Sequence, residues 1–305
     1  MKEVHDVLIN LWLALDRACK QLHLNYYAIH GTLLGTVRHQ GFIPWDDDMD
    51  FVMPREDFDC LVLNAELLFP PPYFLQTEDS DRGCYFGGYA RLMDETTTCM
   101  DFPNVIHSCH QGIRIDIMPL DHCSSGWYGQ KINREIRFLQ KVLYAKYYPA
   151  GAGVLSNLSI TESARLAEAV HLLPGRWIRK RLQKLYRGKK DSKLLTISTC
   201  LYGENPNSNI YPVNWFEQVI WLMFEGHQMP VPAGYDEILK KRYGEDYYLL
   251  PVPEKRDSLH RCLMDPSASY QMQDRNQVLM RLKTMAQFEL VKKRTQGMKT
   301  NDERQ

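Results

Sequence analysis

The sequence predicts an α+β fold in which short strands and helices share a core, followed by a helical insertion and a C-terminal segment. Three observations lead there. Residues 113–118 alternate, with Ile113, Ile115 and Ile117 to one side and Arg114, Asp116 and Met118 to the other, the period of a half-buried strand. Residues 2–22 instead bring Val4, Val7, Leu8, Leu11, Trp12, Leu15 and Leu22 together at helical spacing. From about residue 125 to 200 the chain is rich in Lys, Arg, Leu and Tyr and reads as long helices. The expected boundaries are a core at 1–124, a helical insertion at 125–210, and a segment at 211–305 that packs on the core.

The elements follow in order. NYYAIHG (25–31) is an aromatic and β-branched strand closed by glycine; TLLGTVRH is a short helix; Gly41 to Pro44 is a turn region; DMDFVMP (48–54) is the next strand. REDFDCLVLNAELLF is helical with Phe58, Leu61, Val62, Ala65 and Leu68 on one face, and Pro70-Pro71-Pro72 stops it. YFLQT (73–77), GGYARLMD (87–94) and GIRIDIMPL (112–120) are strands. Further on, QVIWLMFEGHQMPVP (218–232) has β character, and YDEILKKRYG is a helix ending on the glycine expected past a C-terminus. The tail from about 272 is a polar helix that frays after Lys293.

Composition narrows the function classes. With 37 basic and 37 acidic residues, no global field draws nucleic acid or an anionic membrane, so any anionic ligand must be handled locally. Charges at Lys2, Glu3, Asp6, Asp16 and Arg17 interrupt any signal-peptide core, and no run of about 18 apolar residues offers a transmembrane span. The expected location is the cytoplasm, with the inner membrane surface as a second placement. The 8 cysteines include no CxxC pair and are expected reduced. Cys99, His107, Cys109, His110, His122 and Cys123 raise a zinc hypothesis, yet their spacing matches no common structural pattern, and unpaired thiols with loop histidines are the plainer reading.

The densest chemistry lies at Asp46, Asp47, Asp48 and Asp50. Such a run is either a solvated acidic loop or a set of carboxylates gathered around a cation. On a strand, Asp48 and Asp50 project from one face while Met49 and Phe51 enter the core. Two carboxylates on one face repel unless a cation lies between them, and an all-oxygen site with open positions suits Mg2+ or Mn2+. Asp116, on its alternating strand, is the candidate third carboxylate; Asp46 and Asp47 precede the strand as solvent-facing or supporting groups. Upstream, Gly31-Thr32 at a strand-to-helix junction exposes free amides to a phosphate, although such turns also occur where nothing binds.

HGTLLGTVRHQGFIPWDDDMD (30–50) is very similar to the signature of LicD-type phosphocholine transferases, related to the fukutin and fukutin-related proteins. YARLMDETTT (89–98), RIDIMPLD (114–121) and PVPAGYDEILKKRYGEDYYLLPVPEKR (230–256), with His260, resemble further segments of that family. The resemblance covers about residues 25–260, apart from roughly 125–200. It implies a nucleotidyltransferase fold of the polymerase β superfamily, a mixed sheet with flanking helices, and an enzyme that is a phosphotransferase. By position it makes Asp48, Asp50 and Asp116 the catalytic metal ligands, and Gly31 and Thr32 the lining of a phosphate site. Arg38 becomes a phosphate-facing cation, with a structural ion pair as the alternative, and Trp45, Arg91, Lys255, Arg256 and His260 become ligand contacts. The implied donor is a CDP-linked alcohol, CDP-choline foremost and CDP-ribitol or CDP-glycerol next. The acceptor is a hydroxyl of a glycan or glycolipid, as in lipopolysaccharide or teichoic acid modification, and CMP leaves. Trp45, Tyr85, Tyr89, Trp127 or Trp221 would enclose the choline ammonium by cation–π contact. Asp116 is either a metal ligand only or a general base as well.

Two readings from other classes compete. Asp46, Asp47 and Asp50 satisfy the DDxxD pattern by which isoprenoid synthases hold magnesium on a helix, although Pro44 stands just before it. The chain could also be a noncatalytic binding protein that keeps the fold, in which case the acidic set would usually be incomplete.

Overall fold

The computed structural model describes residues 1–83, 85, 87–101, 104–147, 166, 168–187, 192–197, 209–253, 256 and 262–285. The chain runs α1 (Lys2–Leu22), β1 (Tyr27–Ala28), α2 (His30–His39), β2 (Asp50–Pro54), α3 (Arg55–Leu63), α4 (Ala65–Leu68), β3 (Tyr73–Gln76), β4 (Ala90–Asp94), β5 (Thr98–Asp101) and β6 (Ile113–Cys123). There follow α5 (Gly126–Tyr147), α6 (Gly175–Tyr186), β7 (Leu194–Thr196), β8 (Ile210–Pro212), β9 (Val219–Phe224), β10 (His227–Pro232), α7 (Tyr235–Tyr243), β11 (Cys262–Asp265) and α8 (275–285).

The fold is α+β around a mixed sheet of order β1-β2-β6-β4-β3, with β2 parallel to β6 and the remaining pairs antiparallel. β6 carries the predicted alternation: Ile113, Ile115 and Ile117 are buried, whereas Arg114 and Asp116 are half-buried. The isoleucines share one core with Leu8, Leu11, Trp12 and Leu15 of α1, which packs on β6 and β4. Each side chain buried this way contributes roughly 1.5–3 kcal/mol. Polar atoms in this core are satisfied in series: Trp12 Nε1 donates to the Tyr26 hydroxyl at 3.0 Å, which donates to Asp16 at 2.9 Å. The opposite face of the sheet is thereby left to Asp50, Asp116, Arg91 and Arg114.

Two peripheral units complete the fold. α5 and α6 form a second core through Ile136, Leu139, Leu143, Ile178 and Leu182. β9 and β10 make a hairpin whose two turn residues, Glu225 and Gly226, both take positive φ, 48° and 81°, the geometry that matches strand twist. The Glu225 carboxylate accepts from Phe42 N at 3.1 Å and ties the hairpin to the loop before β2.

Several expectations need correction. The strand expected at 48–54 begins only at Asp50, because its partner β1 is two residues long and the last main-chain bond, Ile29 N to Asp50 O at 3.1 Å, precedes the turn into α2. The helix expected over 55–69 breaks at Asn64, whose amide donates to Cys60 O at 2.8 Å. The stretch 125–210 is not wholly helical: β7 pairs with the far end of β6 and with β8. β5 and β11 pair only with each other, a contact across more than 160 positions that local pattern does not reveal. The acidic run lies in no helix, which removes the isoprenoid-synthase reading. Among the described residues no helix is long and apolar enough to cross a membrane.

Candidate active site

Strand register sets three side chains in one row. Asp50 of β2 pairs with Asp116 of β6, and Asp116 pairs with Arg91 of β4, so all three point to the same face. Asp116 N donates to Met49 O at 2.9 Å, and Arg91 Nε lies 3.4 Å from Asp116 Oδ1. Arg91 also donates from Nη2 to the Tyr89 hydroxyl at 2.8 Å. Burial alone would lower the Arg91 guanidinium, but Tyr89, Asp116 and Asp101 outweigh that and keep it cationic. One step along β6, Arg114 donates from Nη2 to Asp101 Oδ2 at 2.9 Å. Burial would push Asp101 up, yet Arg114 and Arg91 hold its carboxyl below the ordinary value.

Beside this row stands a second acidic group. Asp46, Asp47 and Asp48 each offer a carboxylate oxygen within 4.8 Å of the others. The donors are all hard oxygens, a chemistry that suits Mg2+ or Mn2+. The expected trio is thus arranged as two neighbouring sets, Asp48 with Asp46 and Asp47, and Asp50 with Asp116. Asp46 and Asp47, read from sequence as supporting groups, stand as near to Asp48 as ligands would.

The start of α2 adjoins both sets. A Cβ added at Gly31 would lie 2.5 Å from Asp46 Oδ2, so a glycine is what lets that carboxylate approach the helix. Thr32 is buried, and its hydroxyl accepts from Asp50 N at 2.8 Å, so it fastens helix to strand in addition to any ligand contact. Arg38 donates from Nη1 to Tyr247 O at 3.1 Å and Leu249 O at 3.2 Å, and the side chain clasps the segment after α7. Arg256 lies 5.7 Å from the Trp45 ring centre. Lys255 and His260 lie outside the described residues.

Two further groups named from the sequence are placed by the fold. Among the described residues the Cys/His cluster gathers no set of three: Cys99, Cys109 and Cys123 are buried, His110 contacts Glu95 at 2.5 Å, and His122 contacts Ser192 O at 3.0 Å. The aromatic candidates do not converge either. Tyr85 belongs to the α5–α6 core, and Trp127 and Trp221 are exposed on separate elements. Tyr89, Trp127 and Trp45 already carry Arg91, Lys131 and Arg256 over their rings. A cavity of about 560 Å³ opens at the far ends of β2 and β6 beside Leu120 and Phe216, away from Asp50 and Asp116. Its one buried acid, Asp121, is committed to Arg55.

Residues 23–133, which hold the whole row and both acidic sets, match the family model described as LicD/FKTN/FKRP, nucleotidyltransferase domain. The chain carries a LicD domain. Over 286 residues it is 25% identical to the lipopolysaccharide cholinephosphotransferase LicD of Haemophilus influenzae, covering 85% of this chain and 96% of that protein. A 57-residue stretch is 40% identical to uncharacterised proteins of Rickettsia prowazekii and Rickettsia typhi, 19% of this chain and 17% and 15% of theirs.

Within the LicD domain and against it, three residues that sequence reasoning passed over enter the site. Arg114 shares the Asp116 face, and the alternation of β6 already contained that signal. His30 reaches Asp50 with Nδ1 at 3.3 Å, a contact created by a backbone turn that no local pattern announces. Tyr243, at the end of α7, is 41% exposed overall. Burial of its hydroxyl, with Asp50 and Asp46 nearby, raises the phenol against the opposing effect of Arg242.

Proposed function

We propose that the protein is a phosphotransferase with a nucleotidyltransferase fold that moves phosphocholine from CDP-choline to a hydroxyl of a cell-surface glycan or glycolipid, releasing CMP. The observation that carries this reading is the in-register Asp50–Asp116 pair flanked by Arg91, inside a LicD domain. The similarity of most of the chain to a lipopolysaccharide cholinephosphotransferase supports the choice of donor and acceptor. Asp48, Asp50 and Asp116 would hold Mg2+ or Mn2+, with Asp46 and Asp47 alongside. Such an ion, when bound, offsets charge on the diphosphate and on the departing CMP.

The chain's own groups supply the rest. The first turn of α2, at Gly31 and Thr32, presents backbone N–H groups to a phosphate. Arg91, fixed by Asp116 and Tyr89, is a cation that needs no reorganisation as charge develops. The acceptor oxygen bonds to the phosphorus bearing choline, the bond from that phosphorus to the bridging oxygen breaks, and CMP leaves with that oxygen. The hydroxyl proton passes to Asp116 or to solvent.

A second donor class is favoured by one observation: three of the five candidate rings already carry a side-chain cation. A donor whose alcohol is ribitol or glycerol needs no aromatic enclosure. The deciding assay incubates the protein with CDP-choline, CDP-ribitol or CDP-glycerol, Mn2+ and lipopolysaccharide, and measures CMP. CMP release with CDP-choline, lost on chelation and restored by Mn2+, is the expected result. No release from any of the three donors would overturn the reading.

A further inference from the structure

α5 and α6 concentrate a charge that the chain as a whole conceals. Between them, Gly126–Tyr147 and Gly175–Tyr186 hold 10 of the 37 basic residues and 1 of the 37 acidic ones. The formal neutrality of the protein is therefore the sum of a strongly basic helix pair and an acidic remainder. Neutral composition excludes a global field but not a local one. The single acid of the pair, Glu135, is already bonded to Arg181 Nε at 2.7 Å.

Helical spacing decides where the cations go. Ile178, Leu182 and Tyr186 of α6 enter the core shared with α5, which leaves Arg176, Lys180 and Lys184 exposed on other sides of the helix. Trp177 stands beside them, 51% exposed. On α5, Trp127, Lys131, Arg134 and Phe138 recur at helical spacing as an exposed stripe. Trp127 is 70% exposed, and Lys131 Nζ lies 5.6 Å from its ring centre. The two exposed faces meet where Lys131 and Lys184 line one open cavity of about 490 Å³.

Aromatic rings standing in water among lysines and arginines, on helices whose other faces are already packed, match the pattern of a surface that lies in the headgroup layer of a bilayer. The rings enter the boundary with the acyl chains, and the cations meet anionic headgroups. A second copy of this chain is a poor occupant, because two such basic faces repel. Duplex nucleic acid would engage the cations and leave the rings in water.

We propose that the exposed face of α5 and α6 docks on an anionic lipid surface, with Trp127, Phe138 and Trp177 in the headgroup layer and Lys131, Lys180 and Lys184 against lipid phosphates. The docking stands on charge and exposure and is independent of the transfer reading above.

The test is co-sedimentation of the full chain with vesicles containing about 30% phosphatidylglycerol in phosphatidylcholine, beside vesicles of phosphatidylcholine alone, with no donor or acceptor present. Binding to the first and not the second is expected, and it should weaken as NaCl rises from about 0.05 to about 0.5 M. Tryptophan emission should shift to the blue on binding, and less so when Trp127→Phe and Trp177→Phe are combined. A variant carrying Arg176→Gln, Lys180→Gln and Lys184→Gln alters only exposed side chains and should keep the parent melting temperature. Its affinity for the anionic vesicles is expected to fall about 100-fold, at roughly fivefold per cation. Equal binding to both kinds of vesicle, or parental binding by the triple variant, overturns the proposal. So does retention of a duplex oligonucleotide by a protein that ignores the vesicles. Because no donor is present, none of these outcomes bears on the transfer reading.

Discussion

Asp50 and Asp116 occupy paired positions on two parallel strands, and Asp116 N donates to Met49 O immediately before Asp50. Parallel register puts both carboxylates on one face, next to Arg91. Like charges so placed repel, and the Arg91 guanidinium 3.4 Å from Asp116 offsets part of that repulsion.

Asp50→Asn and Asp116→Asn are therefore expected to reduce CMP release by about 10²–10³-fold, the scale of losing a preorganised electrostatic group. The melting temperature of Asp50→Asn should equal or exceed that of the parent, since a repulsive charge is removed. Calorimetry alongside the CMP assay checks this. Equal losses of stability and activity would instead mark Asp50 as a structural group.

Gly31→Ala tests the approach of Asp46 to α2. The new methyl would meet Asp46 Oδ2 at 2.5 Å, and the flexible end of that side chain must swing away. The fold is expected to persist, as an alanine in a helix is favourable by about 1 kcal/mol over glycine. Mn2+ affinity, read by electron paramagnetic resonance, should fall. Unchanged affinity would exclude Asp46 from the ion's surroundings.

Asp121→Ala tests a pair remote from the chemistry. Arg55 reaches Asp121 with Nε at 2.7 Å and Nη2 at 2.9 Å, and the acid is 1% exposed. Removing the acid takes away the two short bonds of Arg55 and leaves its 3.5 Å contact with Asp59, at a cost of about 3 kcal/mol. Urea unfolding should show that loss, while KM for the donor stays at the parent value in the folded fraction.

Glu78 predicts a pH dependence. Burial pushes its carboxyl up from 4.5 to about 7, against the opposing pull of Arg179. The folded state therefore holds the proton more tightly than the unfolded chain. Stability from this group is complete below pH 4.5 and is lost as pH rises to about 7. Urea midpoints across that window should decline, and Glu78→Gln should flatten the decline.

Much of the site was legible in local pattern. Asp116 was readable because Ile113, Ile115 and Ile117 alternate with it, and each is buried as the pattern requires. The acidic run was readable as a group, and strand geometry correctly sent Met49 and Phe51 to the core. The grouping within the run was not, since Asp48 precedes the strand and joins Asp46 and Asp47. The contacts of Arg38 with the main-chain carbonyls of Tyr247 and Leu249 were not legible either, since those residues lie some 200 positions away.

The sequence by itself determined the α+β class, the amphipathic α1, the alternation of β6, and the gathering of Asp46, Asp47, Asp48 and Asp50 in one short run. Those depend on side-chain direction along a single segment, which backbone geometry dictates locally. Tertiary structure alone decided that Asp50 lies opposite Asp116, that Arg91 completes their row, and that β5 meets β11. It also decided that His30 turns its ring onto Asp50. Each is a meeting of segments far apart in the chain, set by sheet register and core packing, quantities that no local periodicity encodes.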